Sequence, residues 1–278
     1  MTYKIVADSS ADLHTAWGGI PFESVPLTIR TGEREFVDDS SLELEQMLQH
    51  LEGYKGKSGS ACPGVYDYVR AFGEAERIFC FTITSQLSGS NNSARLAKED
   101  YESDHPERKV FVVDTLSTGP EMKLLVEHTE KLIGQGKSFE EICIELERYS
   151  RKTRLMFSLE SLKNLANNGR VSPVVAKVAG VLGIRILGKA SDEGTLETMD
   201  KVRGEKKAIP RIVQLMEKLG YAGGKVRIDH CQNPQAAAQL KGLLMEKFQM
   251  ADIRIAKTMG LCSFYAERGG LLVGFETE

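Results

Sequence analysis

The alternation of short, nearly all-apolar runs with longer amphipathic stretches restricts this fold more than any other feature of the sequence. The first three runs are KIVAD, IFCFTIT and VFVVD, at residues 4–8, 78–84 and 110–114. Strands that are buried on both faces have this composition, and amphipathic crossovers between such strands are typical of parallel sheets. The N-terminal part is therefore predicted to be an α/β unit with a mainly parallel sheet and flanking helices.

The pattern changes after Arg154. IRILGKA and TLETMDKV, at residues 184–190 and 195–202, predict two antiparallel strands joined by a tight turn. A helix-like stretch from Pro173 to Leu182 precedes them, and a helix from Glu205 to Leu219 follows. This part is predicted to be a second α/β unit, with a mixed or antiparallel sheet.

Two lobes follow from this change of pattern. We expect an N-terminal lobe over residues 1–154 and a C-terminal lobe over residues 155–278, because each is long enough to bury a core of its own. Residues 21–56 predict a strand pair and a helix. The sequence leaves open whether this segment packs on the first lobe or reaches the second.

Composition excludes several classes of function. The formal net charge of the 278 residues is −3, so there is no excess of positive charge for a nucleic-acid backbone. No apolar run approaches the roughly 20 residues that a membrane span needs, and no leader precedes the first strand, so we expect a cytoplasmic protein. The five cysteines are scattered without a C-x-x-C pair, and we predict no disulfide framework, metal or cofactor.

The sequence offers no convincing catalytic set. Gly-Lys-Ser triplets occur at residues 56–58 and 136–138, but both lack the earlier glycine of a phosphate-binding loop. His230 and Cys231 are neighbours, yet on a strand their side chains point to opposite faces. We therefore predict a binding protein rather than an enzyme.

Hydroxyl side chains follow the second apolar run, at Thr84, Ser85, Ser88 and Ser90. Each taken alone is well explained as a helix N-cap, but a cap uses one oxygen and this segment offers four. Ligands of open α/β sheets bind outside the carboxyl ends of the strands. Neutral donors near helix N-termini there can hold a carboxylate or a phosphate.

Two further polar positions are candidates for the same edge of the sheet. Ser58 lies in KSGSACPG, another segment of small residues, just before a predicted helix. Arg170 follows the helix-like stretch ESLKNLAN, where a guanidinium either binds phosphate or is simply solvated. The residues alone do not decide between these two roles for Arg170.

Several motifs, in this order, resemble the DegV family of bacterial fatty-acid-binding proteins. They are DSSADL, SVPLTI with a downstream Asp, KSGSACP, ITSQLSGS, VVDTLSTG, NGRVS, GIRIL and KVRGEKKAI. The resemblance as a whole extends from about Lys4 to Phe275. The resemblance implies a two-lobed DegV-like fold that buries one long-chain fatty acid, such as palmitate, stearate or oleate, between its lobes. It also implies that the acyl carboxylate is presented to the catalytic subunit of a fatty acid kinase, which makes an acyl phosphate for phospholipid synthesis.

The resemblance also implies roles for particular residues. Ser58 matches a Thr that binds the fatty-acid head group, and Thr84, Ser85 and Ser88 match a hydroxyl run with the same role. Arg170 matches the Arg of a G-G-R motif, which resembles a phosphate or kinase contact.

Tyr265 is the nearest residue to a family His within GLCSFYAERGG, and it is the main departure from the pattern. A Tyr hydroxyl still donates and accepts hydrogen bonds. This change and Ser58 in place of Thr bear on ligand identity and kinase competence more than on the fold.

The physical chemistry suits such a ligand. Each buried methylene contributes about 0.8 kcal/mol, so a chain of about 14 methylenes contributes about 11 kcal/mol before ordering costs. The carboxylate must keep hydrogen bonds wherever it leaves water. Two alternatives stay open: an enzyme that acts on a small anionic substrate at the same edge, and a lipid-responsive regulatory module.

Overall fold

The structure is a computed structural model that describes residues 2–172 and 183–278. The helix expected from Pro173 to Leu182 lies outside the described residues. The N-terminal sheet has four parallel strands in the order β2-β1-β6-β7. Its strands are β1 (Tyr3–Asp8), β2 (Phe22–Val25), β6 (Arg77–Thr82) and β7 (Lys109–Asp114). The predicted parallel sheet is thus confirmed.

Four helices cover the two faces of this sheet. They are α2 (Val65–Phe72), α3 (Ser90–Asp104), α4 (Pro120–Gly134) and α5 (Phe139–Ser150). Alternation along β1 sends Val6 to the core under α2 and α3, and Ile5 to the core under α4 and α5. The strands are therefore apolar on both faces, as their composition predicts.

A small antiparallel sheet interrupts this pattern. Its strands are β3 (Thr28–Arg30), β4 (Glu35–Val37) and β5 (Gly59–Ala61), in the order β4-β3-β5, and α1 (Leu44–Gly53) follows β4. The predicted strand SVPLTIR is split at Pro26, which has no N–H for a sheet hydrogen bond. Ile29 and Met47 share a core with Phe157 and Phe264. Most of the segment 21–56 thus packs against the C-terminal part of the chain.

The C-terminal sheet has six strands in the order β10-β9-β8-β13-β11-β12. They are β8 (Thr153–Leu159), β9 (Ile184–Ala190), β10 (Leu196–Arg203), β11 (Lys225–His230), β12 (Asp252–Lys257) and β13 (Leu271–Glu276). The pairing of β11 with β12 is parallel, and the other four pairings are antiparallel. The predicted mixed sheet and the hairpin of β9 and β10 are confirmed.

Four more helices lie in the described residues of this part. They are α6 (Lys163–Asn167), α7 (Glu205–Lys218), α8 (Pro234–Lys247) and α9 (Gly260–Ala266). Helices α7 and α8 cover one face of the six-stranded sheet with an apolar core. The short helix α9 lies against the opposite face and was not predicted from the sequence.

Helix α4 joins the two large sheets. Its apolar side, with Met122, packs on the N-terminal sheet, and its first turn reaches the backbone of β13. A Cβ added to Gly274 there would lie 2.5 Å from the backbone nitrogen of Glu121, so only glycine allows this approach. The proposed lobe boundary at residues 154 and 155 stays a prediction.

Within residues 2–172 and 183–278, no helix combines the length and the apolar character that a membrane crossing requires. Among the same residues, no cluster of His, Cys, Asp or Glu side chains has the arrangement to hold a metal ion.

Candidate functional site

A cavity lies between loops of the N-terminal part and the face of the six-stranded sheet that α9 covers. The space between its lining residues, including the opening to solvent, is about 670 Å³. Its apolar lining consists of Leu27, Ile83, Leu87, Leu155, Phe157, Leu159, Leu165, Leu196, Leu261, Cys262, Ala266 and Leu272. An elongated apolar ligand matches this lining.

The alternation of β8 supplies one wall of the cavity. Leu155, Phe157 and Leu159 project to the cavity, whereas Met156 between them belongs to the core under α7 and α8. Neighbouring residues of a strand point to opposite faces. The same strand therefore serves a packed core and an open chamber.

Five polar side chains complete the lining: Ser60, Ser88, Thr118, Arg170 and Tyr265. The Ser60 and Tyr265 hydroxyl oxygens are 2.8 Å apart, within hydrogen-bond distance. The Ser88 hydroxyl lies 3.0 Å from that of Ser90, which begins α3. These hydroxyls offer donors for a carboxylate without placing a full counter-charge in direct contact with it.

The segments that carry these polar groups contact one another. The Arg170 guanidinium donates from Nε to the Leu87 carbonyl at 3.1 Å and from Nη1 to the Asn168 carbonyl. Asn168 in turn donates from Nδ2 to the Ser58 carbonyl at 3.2 Å. Loops from three distant parts of the sequence thus meet at the polar side of the cavity.

The structure brings three of the predicted site residues to the cavity: Ser88, Arg170 and Tyr265. Ser58 lies just outside the lining, and Ser60 takes its place two residues later. Ser58 immediately precedes strand β5, whereas Ser60 is the middle residue of that strand. The head-group role of Ser58 stays a prediction.

Thr84 and Ser85 lie beside the cavity rather than in its lining. The Thr84 hydroxyl, 2% exposed, donates to the Gly194 carbonyl at 2.9 Å and so holds the turn between β9 and β10. The Ser85 side chain is exposed, and its backbone N–H donates to Asp114 Oδ1 at 3.1 Å. The contact of Thr84 and Ser85 with a head group therefore stays a prediction.

Sequence reasoning missed Ser60, Thr118 and Cys262. Thr118 Oγ1 and Cys262 Sγ both donate to the Ser10 carbonyl, at 3.2 Å and 3.5 Å. Ser60 and Thr118 carried a signal, since both lie in hydroxyl-rich segments that the sequence analysis had identified. Cys262 carried none, because a lone cysteine in an apolar stretch resembles any core residue.

The motif DSSADL supports the cavity wall from behind. Asp8 Oδ2 accepts from the backbone N–H of Ile83 at 2.9 Å, and Ser9 Oγ accepts from that of Leu27 at 3.0 Å. Both Leu27 and Ile83 line the cavity. Burial raises the pKa of Asp8 to about 6. Its side chain therefore acts as a scaffold and not as a ligand contact.

A buried charged cluster lies behind Thr118 and Cys262. Lys123 on α4 donates to Asp229 on β11 at 2.8 Å. Burial, and then the nearby Asp229, raise the pKa of Asp12 well above its usual value. One lysine thus serves two carboxyl groups where the N-terminal and C-terminal parts meet.

His230 is the base that the enzyme alternative requires. It is buried, its Nδ1 accepts from the backbone N–H of Asn233 at 3.2 Å, and it is absent from the cavity lining. Burial also lowers its pKa. The geometry gives this alternative no support.

Comparisons with known proteins identify relatives along the whole chain. The family model described as "Uncharacterised protein, DegV family" matches residues 2–278. A DegV domain-containing protein of Streptococcus pneumoniae is 48% identical over 281 residues, and the match covers 100% of both chains.

Two solved structures have nearly the same fold. One is a DegV family protein from Eubacterium eligens loaded with heptadecanoic acid, with a TM-score of 0.98 and 45% identity. The other is the Streptococcus pneumoniae Fatty Acid Kinase (Fak) B3 protein loaded with linoleic acid, with a TM-score of 0.97 and 48% identity. Each match covers 100% of both chains.

Proposed function

The chain belongs to the DegV family, and we propose that it binds a long-chain fatty acid in the cavity and presents the carboxylate to a separate kinase. The kinase makes an acyl phosphate for phospholipid synthesis, and this chain is its non-catalytic, cytoplasmic acyl carrier. The observation that carries the proposal is the lining: twelve apolar side chains form the chamber, and hydroxyl groups and one arginine stand beside them. Fatty acids loaded into two closely similar proteins support it.

The ligand lies between the two proposed lobes, residues 1–154 and 155–278. Its tail contacts the wall formed by Leu155, Phe157 and Leu159, where burial of methylene groups supplies the affinity. Its carboxylate accepts hydrogen bonds from the polar lining, because an unpaired buried charge is expensive. Palmitate, stearate and oleate are ligands of the required chemistry.

Lipid extraction tests this function directly. We expect one long-chain fatty acid for each chain when the protein is purified from bacteria, extracted with organic solvent and analysed by mass spectrometry. Native mass spectrometry of the intact protein gives the stoichiometry. Recovery of no stoichiometric lipid, even after incubation with palmitate or oleate, would defeat the proposal.

Arg170 separates lipid binding from phosphorylation. Its guanidinium is held by two backbone carbonyls at the polar side of the cavity, so its charge is fixed where a phosphoryl group would arrive. Arg170→Ala is expected to keep the lipid and to lose most acyl-phosphate formation with the kinase. Lys163→Ala, which removes an exposed cation from the neighbouring helix α6, is the matched control and should keep both. Loss of lipid from Arg170→Ala would show that the guanidinium binds the carboxylate itself.

A further inference from the structure

Helix α9 carries a large share of the cavity wall, although it is only seven residues long. Leu261, Cys262, Tyr265 and Ala266 all line the cavity. The first backbone N–H groups of any helix have no partner within the helix. The residue that precedes this helix, Met259, has a side chain that offers no cap. The acceptors for these N–H groups must therefore come from elsewhere.

Two buried carboxyl groups from the N-terminal part of the chain supply these acceptors. Asp38 Oδ1 accepts from the N–H of Gly260 at 2.6 Å, and Asp38 Oδ2 accepts from that of Leu261 at 2.9 Å. Asp12 Oδ1 accepts from the N–H of Met259 at 2.7 Å. Asp38 is 0% exposed, so water does not compete for its oxygens.

Asp38 lies next to the small sheet that contains Ser60. It directly follows β4, and its backbone N–H donates to the Leu27 carbonyl at 2.9 Å. Ser60 lies in β5, opposite Ile29 of the central strand. The sheet therefore holds α9 at two points, its N-terminus at Asp38 and the Tyr265 hydroxyl at Ser60.

The approach between Asp38 and α9 is close. A Cβ added to Gly260 would lie 2.6 Å from Asp38 Oδ1 and 2.5 Å from Leu42 Cδ2. Any larger residue at position 260 would push the helix away from the small sheet. The distance between Ser60 and Tyr265 therefore depends on the contact at Asp38.

We propose that Asp38 is a positioning residue for the head-group site: it fixes helix α9 and thereby sets the Tyr265 hydroxyl beside Ser60, where both meet the ligand carboxylate. The inference rests on the proposed function. It assigns recognition of the acid group to a contact outside the cavity, made by a residue that touches no ligand. Recognition of the tail depends less on this helix, because nine of the twelve apolar side chains of the lining lie outside α9.

The test compares two ligands that share a tail. Dissociation constants for palmitate and hexadecanol are measured on the delipidated full chain, for the parent protein, Asp38→Asn, Tyr265→Phe and the double variant. An Asn side chain places its NH₂ group against one of the two backbone N–H groups, so at least one hydrogen bond to the start of α9 is lost. We expect Asp38→Asn to weaken palmitate binding about tenfold and to leave hexadecanol binding unchanged within about twofold. The double variant should bind palmitate no more weakly than the single variant that binds it less tightly.

Two further variants make the test specific. Gly260→Ala displaces the helix while keeping the Asp38 charge, and it should weaken palmitate binding in the same selective way. Asp67→Asn is the matched control, because Asp67 Oδ2 accepts from the N–H of Gly64 at 2.9 Å at the start of α2, away from the cavity. It should leave binding of both ligands unchanged.

The possible outcomes distinguish this inference from the proposed function. Equal weakening of palmitate and hexadecanol, additive effects of Asp38→Asn and Tyr265→Phe, or unchanged palmitate binding would each overturn the positioning role. If Asp38→Asn does not fold, Gly260→Ala decides by the same criteria. A parent protein that binds neither ligand would refute the proposed function, and the positioning role with it.

Discussion

The two faces of the six-stranded sheet bury their side chains in different ways. On the face under α7 and α8, alternate residues of β11 and β13 are apolar and fully buried, as Val226, Ile228 and Val273 show. Helices and strands there fill the space with side chains alone. This face is an ordinary close-packed core.

The opposite face combines an empty chamber with buried charge. Leu155 and Phe157 of β8 border the cavity. In β11, the residues that alternate with the buried Val226 and Ile228 are Arg227 and Asp229. Arg227 donates from Nε and Nη2 to the two carboxylate oxygens of Glu127 on α4, at 2.5 Å and 2.6 Å. On this face, hydrogen-bonded ion pairs therefore join α4 to β11 beside the cavity.

Lys123→Met is expected to give the largest effect on this charged face. It leaves the Asp229 and Asp12 carboxyl groups buried without a cation, which should cost about 3–5 kcal/mol of unfolding free energy at about pH 7.5. Burial raises the pKa of Asp229 and the Lys123 charge offsets part of that rise, so loss of the lysine raises this pKa further. The deficit should then be smaller at about pH 5 than at about pH 7.5, because a lower pH favours protonation of the unpaired carboxyl group.

Urea unfolding of the lipid-free protein at the two pH values measures this prediction. Lys4→Met is the matched control, because Lys4 pairs with Glu23 at 2.6 Å near the surface and should contribute less than about 1 kcal/mol. Equal losses of unfolding free energy for the two variants would mean that the buried cluster stabilises the fold no more than a surface ion pair does.

Two neighbouring residues of β8 compare the faces directly. Met156→Ala removes a side chain from the packed core and should cost about 3 kcal/mol of unfolding free energy. Leu155→Ala should cost about 1 kcal/mol less in the lipid-free protein, because one side of Leu155 already faces empty space.

With saturating palmitate, Leu155→Ala should cost more unfolding free energy than Met156→Ala. Palmitate stabilises a protein in proportion to the logarithm of the affinity, and only Leu155→Ala removes a contact with the tail. Thermal or urea unfolding with and without palmitate gives both comparisons. If Leu155→Ala costs as much as Met156→Ala without lipid, and palmitate stabilises both equally, the two faces are packed alike.

The sequence predicted those parts of the fold that depend on local pattern. The parallel strands were recognisable because both of their faces are apolar. The capping box of Ser138 and Glu141 at the start of α5 is a feature of the same local kind. The mixed C-terminal sheet followed from its hairpin. These features need no knowledge of distant residues.

Helix α9 could not be predicted in this way. Its first N–H groups are capped by Asp38 and Asp12, which lie 222 and 247 residues away in the sequence. A helix of this length without its own caps has no local signal. The same reason explains Ser60: the choice between it and Ser58 depends on where β5 meets α9, and only the tertiary structure fixes that.

A smaller effect on the charged face concerns Glu121, in the first turn of α4. Its Oε1 accepts from the Thr153 hydroxyl at 2.7 Å, and burial raises its pKa from 4.5 to about 6. Because the folded-state pKa is the higher one, the parent protein loses about 2 kcal/mol of stability as the pH rises from below about 4.5 to above about 6.

Glu121→Gln keeps the acceptor for Thr153 and removes the titration. We expect it to match the parent protein at about pH 4 and to be about 2 kcal/mol more stable at about pH 7.5, by urea unfolding of the lipid-free chain. Asp8, whose pKa burial also raises to about 6, keeps part of the slope in both proteins. Glu140→Gln, an exposed change on α5, should move stability by less than about 0.5 kcal/mol. A Glu121→Gln profile parallel to that of the parent would show that Glu121 is solvated, and that this end of the face is not the dry, charged surface described for Lys123 and Arg227.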